Sequence, residues 1–269
     1  MSQRYEKIFA GLRKHDEGAF IPFVTLGDPN AEESEAIAET LIEAGADALE
    51  LGIPFSDPVA DGPVIQAAGN RALESGATPD SCFEILARVR KKYPDVPMGL
   101  LVYANLVIGR GIERFYSRAA ESGVDSVLIA DVPVLAARPF SEQAQRAGID
   151  PVYIVPPNAD DGKLREIAAL TKGYTYFLGR SGVTGTEHEM KTPLASKIRL
   201  LKDAGAPPVI VGFGISRPEH VIAAINAGAD GAIAGSATVA LIAASLGDAK
   251  KTREELAAFV RGMKSATRK

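Results

Sequence analysis

The sequence has few cysteine and histidine residues, which excludes several kinds of site. Of 269 residues one is cysteine, Cys82, and three are histidine: His15, His188 and His220. A single cysteine excludes an intramolecular disulfide and a cysteine-rich metal site, and the scattered histidines form no cluster of metal ligands. We therefore expect a buried structural thiol at Cys82, no metal site, and a protein of the reducing cytoplasm.

Long apolar runs and a strong excess of one charge are also missing. The longest apolar runs, such as residues 239–246, fall well short of the ~20 residues that cross a bilayer. The first 18 residues mix charges with an amphipathic pattern and contain no apolar core of signal-peptide length. Lys and Arg total 30 against 34 Asp and Glu, and no basic run is interleaved with aromatic residues. These observations predict no membrane span, no export and no nucleic-acid partner.

Short apolar runs rich in β-branched residues alternate with helix-period segments along the whole chain, as is typical of parallel β/α units. Eight strands are predicted, at residues 20–26, 48–52, 98–103, 126–129, 151–155, 174–178, 209–212 and 232–235. Eight such units in a chain close to ~250 residues form a closed barrel. We predict an α/β fold, a (β/α)8 TIM barrel with an extra N-terminal helix, as a single domain over residues 1–269.

The two ends of the predicted strands differ in character. Small glycine-containing turns precede most strands, as expected for the end of a barrel that serves stability, and they lie at residues 44–47, 122–125, 147–150, 204–206 and 227–230. Polar and turn-forming residues follow the strands, so the active site is expected at that end. The loops at residues 53–64 and 179–193 are long, and we expect them to act as lids.

Glu50 is the most informative residue, because it alternates with Leu49 and Leu51 in a predicted strand. If the leucines face the helices, Glu50 faces the barrel interior, where desolvation raises its pKa toward neutrality and suits proton exchange. A structural ion pair at the barrel mouth is the alternative. Asp61 follows in the next loop, either as a second catalytic acid or as a turn residue that caps the following helix.

A phosphate site is predicted after the last two strands. Glycines there expose backbone N–H groups, and Ser236 begins a helix whose N-terminus attracts anions. Gly214, Gly235 and Ser236 are expected to form its floor, and Thr184 and Gly185 in the strand 6 loop to close it. No lysine lies at the carboxyl end of a predicted strand, where a Schiff-base aldolase needs one, so acid–base chemistry by carboxylates remains.

Several motifs in one order resemble tryptophan synthase alpha chains over essentially the whole length. They are residues 23–29 (FVTLGDP), 50–58 (ELGIPFSDP), 61–63 (DGP), 103–105 (YAN), 130–133 (ADVP), 156–159 (PPNA), 181–185 (SGVTG), 212–216 (GFGIS) and 235–237 (GSA). The resemblance implies retro-aldol cleavage of indole-3-glycerol phosphate to indole and glyceraldehyde 3-phosphate. Residues 67–71 depart from the family pattern in polarity, which bears on the contact with a partner.

The resemblance also implies roles for individual residues. Glu50 transfers protons at indole C3 and at the glycerol hydroxyl, Asp61 holds the indole N–H, and Thr184 contacts Asp61. The phosphate is held by Gly185, Phe213, Gly214, Gly235 and Ser236. The indole and glycerol pocket is lined by Phe23, Leu101, Tyr103, Leu128, Tyr176, Thr184 and Ile233. No cofactor is implied in this chain; the implied partner is a pyridoxal-phosphate beta subunit in an alpha2beta2 complex, which receives the indole, with the strand 2 and strand 6 loops at the interface.

The same residues bear on other possible functions. An indole-glycerol phosphate synthase or a phosphoribosyl isomerase would share the strand 7 and 8 glycines but use a catalytic lysine, or an Asp pair at strands 1 and 5, and neither pattern is present. A purely regulatory subunit would be expected to lack Glu50 or Asp61, and both are present. The sequence leaves open the alternative of a free-standing indole lyase.

Overall fold

The computed structural model describes residues 1–179 and 194–268. The strands are β1 (Ala19–Thr25), β2 (Leu49–Gly52), β3 (Met98–Val102), β4 (Ser126–Ile129), β5 (Asp150–Val152), β6 (Ile154–Val155), β7 (Thr175–Leu178), β8 (Val209–Gly212) and β9 (Gly231–Ala234). The α-helices are α1 (Gln3–Lys14), α2 (Ala31–Glu43), α3 (Pro63–Glu74), α4 (Pro79–Lys92), α5 (Ala104–Ile108), α6 (Ile112–Glu121), α7 (Arg138–Arg146), α8 (Asp161–Leu170), α9 (Leu194–Asp203), α10 (Pro218–Asn226), α11 (Ser236–Ala244) and α12 (Ala249–Ser265). A 3₁₀ turn lies at Val134–Ala136.

The strands pair in parallel in the order β5-β4-β3-β2-β1-β9-β8-β7-β6. The two strands at the ends of this order are consecutive in the chain and are separated only by Tyr153. The ends of the sheet therefore lie together, and the predicted (β/α)8 barrel is confirmed.

The fifth predicted strand differs from the prediction, because it is divided into β5 and β6. β5 pairs with β4 and β6 pairs with β7, so the chain changes neighbours at Tyr153. The Tyr153 amide donates to the Thr171 hydroxyl at 3.2 Å instead of to a strand carbonyl. A side-chain acceptor thus interrupts the ladder, and the apolar sequence pattern of residues 151–155 gives no sign of it.

Alternate residues of each strand face two separate apolar clusters. The outer cluster, between strands and helices, contains Leu49 and Leu51, whereas the inner cluster contains Phe23 and Ile233. Helix α1 closes the amino end of the barrel, since Tyr5 and Phe9 join the inner cluster. This is the predicted extra N-terminal helix.

Aspartates of the small-residue turns connect neighbouring strands at the amino end. Three of them accept a hydrogen bond from a backbone N–H at the start of the preceding strand in the chain: Phe20 to Asp47 (2.8 Å), Met98 to Asp125 (2.9 Å) and Val209 to Asp230 (2.8 Å). The predicted structural role of these turns is confirmed at the three positions. Their carboxylates satisfy amides that the sheet ladder leaves unpaired.

Three expectations from composition concern Cys82, metal ligands and membrane spans. Cys82 is fully buried in α4, and burial raises the pKa of its thiol to about 12, as expected for an unreactive structural cysteine. In residues 1–179 and 194–268, no three His, Cys, Asp or Glu side chains come together as metal ligands. No helix in the same ranges has both the length and the hydropathy of a membrane span.

Candidate active site

Glu50 points into the barrel, as its alternation with two leucines predicts. It lies in β2 beside Phe23 of β1 and Gly99 of β3, and only 1% of it is exposed. Leu49 and Leu51 pack in the outer cluster. The carboxylate is therefore held in the interior layer of the barrel by the two-residue period of the strand.

A neutral phenol is the hydrogen-bond partner of Glu50. The Tyr174 hydroxyl donates to Glu50 Oε1 at 2.6 Å, and no cation in the described ranges forms an ion pair with this carboxylate. Burial raises the pKa of Glu50 to about 7, and the Tyr174 hydrogen bond opposes the rise only in part. Among the described residues, Glu50 therefore does not form the structural ion pair that was the alternative prediction.

Three hydroxyl groups lie together beneath Glu50. A Cβ atom at Gly99 would lie 2.7 Å from Ser126 Oγ, 3.1 Å from the Tyr5 hydroxyl and 3.7 Å from the Tyr174 hydroxyl. Tyr5 and Ser126 also hydrogen-bond each other at 2.9 Å. A side chain at position 99 would take up the space that these three hydroxyl groups occupy, so glycine fits there. The sequence reasoning missed Tyr174, although its two-residue spacing from Tyr176 on one strand predicts that both face the interior.

Asp61 is held over the barrel mouth by Tyr103. The Tyr103 hydroxyl hydrogen-bonds the carboxylate, and it also accepts from the Ala60 amide at 3.2 Å. Phe55 stacks on the Tyr103 ring, with 5.3 Å between the ring centroids. Burial raises the pKa of Asp61 to about 6. Asp61 does not cap α3, because the residue at the N-cap position is Gly62.

Tyr176 lies within the electrostatic influence of both acids. Burial is the largest cause that raises the pKa of its phenol, followed by the negative charges of Glu50 and then Asp61. A Cβ atom on the neighbouring Gly212 would come within 2.3 Å of the Tyr176 hydroxyl. The two acids that the sequence singled out thus act on one side chain inside the barrel.

The turns predicted to bind phosphate contain residues with positive φ and the start of a helix. Phe213 and Gly214 after β8 have φ of 66° and 86°. A positive φ is strained for a bulky residue such as Phe213, and such strain is common at functional loops. After β9, Gly235 precedes α11, which begins at Ser236 and leaves the N–H groups of its first turn without partners inside the helix.

The predicted pocket residues fall into three groups. Five of them lie together in or against the inner cluster, and they are Phe23, Leu101, Leu128, Tyr176 and Ile233. Tyr103 instead contacts the loop that carries Asp61. Thr184 and Gly185 lie outside the described residues.

A cavity of about 560 Å³ opens beside the carboxyl ends of β4 to β7. Its lining is mainly apolar and includes Ala60, Ala130, Ile154, Leu178 and Phe213. This volume lies within the ~300 to 1,000 Å³ typical of small-molecule sites, but neither Glu50 nor Asp61 is among the residues that line it. Ala130 belongs to one of the sequence motifs, whereas Ile154 and Leu178 were not singled out from the sequence.

Known proteins match this chain over nearly its full length. The model of the family described as tryptophan synthase alpha chain matches residues 9–268. The tryptophan synthase alpha chain of Escherichia coli O127:H6 is 55% identical over 99% of this chain and 100% of that protein, and the one of Salmonella typhimurium is 56% identical over 99% of each. Among solved structures, subunit alpha from Legionella pneumophila is 29% identical, with a TM-score of 0.88 over 99% of both chains. A tryptophan synthase complex from Pyrococcus furiosus is 34% identical, with a TM-score of 0.82 over 93% of this chain and 98% of that one. The chain therefore belongs to the tryptophan synthase alpha chain family, whose members are lyase subunits that cleave indole-3-glycerol phosphate in tryptophan biosynthesis.

Proposed function

We propose that Glu50 and Asp61 carry out the cleavage of indole-3-glycerol phosphate in this chain by acid–base chemistry. The observation that carries the proposal is the burial of Glu50 against a phenol, which raises its pKa to about 7. A carboxyl group with a pKa near the working pH both donates and accepts a proton readily. Glu50 is therefore suited to both proton transfers of the reaction.

The proposed reaction returns Glu50 to its starting state. Protonated Glu50 gives its proton to indole C3, and the ring becomes an indoleninium cation. The Glu50 carboxylate then removes the proton from the hydroxyl on the adjacent side-chain carbon. A carbonyl forms there, the carbon–carbon bond breaks, and its electron pair returns to the ring. The products are indole and glyceraldehyde 3-phosphate, and Glu50 is protonated again.

Asp61 is proposed to stabilise the positive charge that develops at the indole nitrogen. Its carboxylate faces the barrel mouth from the loop after β2 and is hydrogen-bonded to the Tyr103 hydroxyl. An anion that accepts the indole N–H in a site of low dielectric lowers the energy of the cationic intermediate. The proposed roles of Thr184 at Asp61 and of Gly185 at the phosphate follow only from the family resemblance.

The substrate phosphate is proposed to bind at Phe213, Gly214, Gly235 and Ser236. Backbone N–H groups of two adjacent turns and the positive end of the α11 dipole favour a phosphate there. Phe23, Leu101, Leu128, Tyr176 and Ile233 would then surround the indole, with Tyr103 at the mouth. The role of Thr184 in this pocket is proposed from the family resemblance alone.

A beta subunit that holds its own pyridoxal phosphate is the proposed partner, in an alpha2beta2 complex. The mouth of the barrel carries exposed apolar side chains on three neighbouring loops: Val59 is 75% exposed, Ile108 is 54% exposed and Leu135 is 91% exposed. Exposed apolar groups of this kind are frequent at protein interfaces. We propose that this chain needs no cofactor of its own, forms one domain and works in the cytoplasm.

The test of the proposed function is Glu50→Gln, which removes the transferable proton at nearly constant shape. We expect indole release to fall by ~100 to 10,000-fold while glycerol phosphate still binds. Glu121→Gln on the exposed surface of α6 is the matched control and should behave as wild type. Assays with and without a beta subunit separate a free-standing lyase from a partner-activated one. Retained activity in Glu50→Gln would remove Glu50 from the mechanism.

A further inference from the structure

Arg71 belongs to the segment of α3 that departs from the family pattern, and its side chain contacts the loop after β1. Its Nε and Nη2 atoms donate to the two carboxylate oxygens of Asp28, at 2.8 Å each. The Asp28 side chain is fully buried and that of Arg71 is 21% exposed. Burial raises the pKa of Asp28, and Arg71 counteracts the rise. The pair is a two-pronged ion pair with a fixed relative orientation.

The loop that carries Asp28 fits closely against the end of α3. Gly27 has a φ of 84°, and a Cβ atom there would lie 2.6 Å from Ala77 Cβ. The Ser75 hydroxyl at the C-cap of the helix donates to the Gly27 carbonyl at 3.3 Å. The loop after β1 therefore contacts α3 at its carboxyl end through both packing and hydrogen bonds.

The opposite end of α3 begins at the catalytic loop. Asp61 and Gly62 directly precede the first helical residue, Pro63, and the Gln66 side-chain amide donates to the Asp61 carbonyl at 2.7 Å. Arg71 lies ten positions after Asp61, and the helical part of that distance, from Pro63 to Arg71, spans roughly 12 Å along the axis. Helix α3 is therefore the direct connection between Arg71 and Asp61.

We propose that the Arg71–Asp28 pair fixes the axial position and rotation of α3 and thereby places the Asp61 carboxylate over the site. Arg71 is a positioning residue, and the inference rests on the proposed role of Asp61. A buried ion pair adds little net stability compared with apolar residues, and the role assigned to this pair is to select one arrangement of α3 and the loop after β1. A helix is stiff, so a shift at its carboxyl end moves its first turn as well.

The test is Arg71→Lys, which keeps the charge and loses the two-pronged geometry. Two probes are measured on the full chain: indole-3-propanol phosphate, which offers an indole N–H to Asp61, and glycerol phosphate, which does not. We expect binding of the first to weaken by roughly tenfold and binding of the second to stay unchanged. In an Asp61→Asn background, Arg71→Lys should cause no further loss.

Arg110→Lys is the matched control. Arg110 also donates two hydrogen bonds to one carboxylate, from Nη1 and Nη2 to Asp80 at 2.6 and 2.8 Å. Asp80 lies in the first turn of α4 and Arg110 between α5 and α6, so neither leads to Asp61. The Arg110→Lys substitution should leave the binding of both probes unchanged. Asp28→Asn removes the ion pair by changing its other partner, and we expect the same selective loss of indole-3-propanol phosphate binding. This variant replaces Arg71→Lys as the test if Arg71→Lys does not fold.

Three outcomes would overturn the inference. They are wild-type binding in both Arg71→Lys and Asp28→Asn, equal weakening of both probes, and a loss that adds to that of Asp61→Asn. Separately, wild-type binding of indole-3-propanol phosphate by Asp61→Asn alone would overturn the proposed role of Asp61 and this inference with it.

Discussion

Asp125 at the amino end of the barrel and Glu50 in its interior are both buried, but their partners differ in charge. Asp125 accepts hydrogen bonds from Arg90 at 2.7 Å and from Arg4 at 3.0 Å, so two guanidinium groups match its charge. Glu50 has the neutral Tyr174 phenol, and burial raises its pKa to about 7. Burial alone therefore does not identify a catalytic acid; the charge of the partner separates the two cases.

A second pair of acids repeats the contrast. Burial raises the pKa of Asp47 at the amino end, and Lys264, 3.0 Å away, opposes the rise with its positive charge. Burial raises the pKa of Asp61 at the mouth to about 6, and only the neutral Tyr103 phenol opposes it. A phenol orients a carboxylate without supplying a positive charge, so the acid can change its protonation state near neutral pH. The acids of the amino end thus join strands and have cationic partners, whereas Glu50 and Asp61 have neutral phenols as their hydrogen-bond partners.

The largest expected effect that tests this contrast is on stability at the amino end. Asp125→Asn removes the negative charge between Arg4 and Arg90, and we expect the free energy of unfolding to fall by about 3 to 5 kcal/mol. Catalysis by the remaining folded protein should be unchanged. Urea unfolding and kcat/KM measured on the same samples check both parts.

Asp80→Asn is the control, because its pair with Arg110 is exposed and should contribute little. A variant of Asp125 that unfolds like wild type would break the comparison. So would one that loses catalysis without losing stability.

The sequence predicted the features that depend on local periodicity. The alternation of Glu50 with Leu49 and Leu51 gave its orientation, since side chains of a strand point to opposite faces. The positions of the glycines after β8 and β9 were also predicted locally, because turn residues follow strand ends. The barrel itself followed from eight repeats of one unit.

Features that depend on contacts between distant residues were not predicted. The Tyr174 hydroxyl reaches Glu50 across 124 positions of sequence, and no pattern along the chain encodes that distance. The Arg71–Asp28 pair joins residues 43 positions apart. The interruption of the fifth strand depends on the Thr171 hydroxyl, which lies between the end of α8 and β7.

The next effect concerns the pH dependence of stability. Burial raises the pKa of Glu50 from its ordinary 4.5 to about 7, so the folded chain binds this proton more tightly than the unfolded chain. The resulting stabilisation is fully present below pH ~4.5 and is lost as the pH rises through about 7, a change on the order of 3 kcal/mol. Glu50→Gln has no titrating proton at this position, so it lacks this pH-dependent stabilisation.

The measurement is the difference in free energy of unfolding between Glu50→Gln and wild type from pH 5 to pH 8. We expect the variant to gain relative stability as the pH rises. Because both proteins share every other titrating group, the difference reports Glu50 itself. A difference that does not change with pH would contradict a raised pKa and would place Glu50 with the charge-matched acids of the amino end.

The smallest expected effect concerns the phenol that distinguishes Glu50 from Asp125. The Tyr174 hydrogen bond favours the ionised carboxylate, so Tyr174→Phe should raise the pKa of Glu50 further above about 7, by on the order of one pH unit. Carboxyl ¹³C NMR titration measures the shift, with Glu50→Gln used to assign the signal. Tyr176→Phe, two residues further along the chain, is the control, because the interaction of the Tyr176 phenol with Glu50 is with the charge of the carboxylate. If Glu50 transfers the proton, the pH dependence of kcat/KM moves upward with the NMR value in Tyr174→Phe. A pKa that stays in place or falls would mean that burial alone sets it and that the partner of this acid is not what separates it from the acids of the amino end.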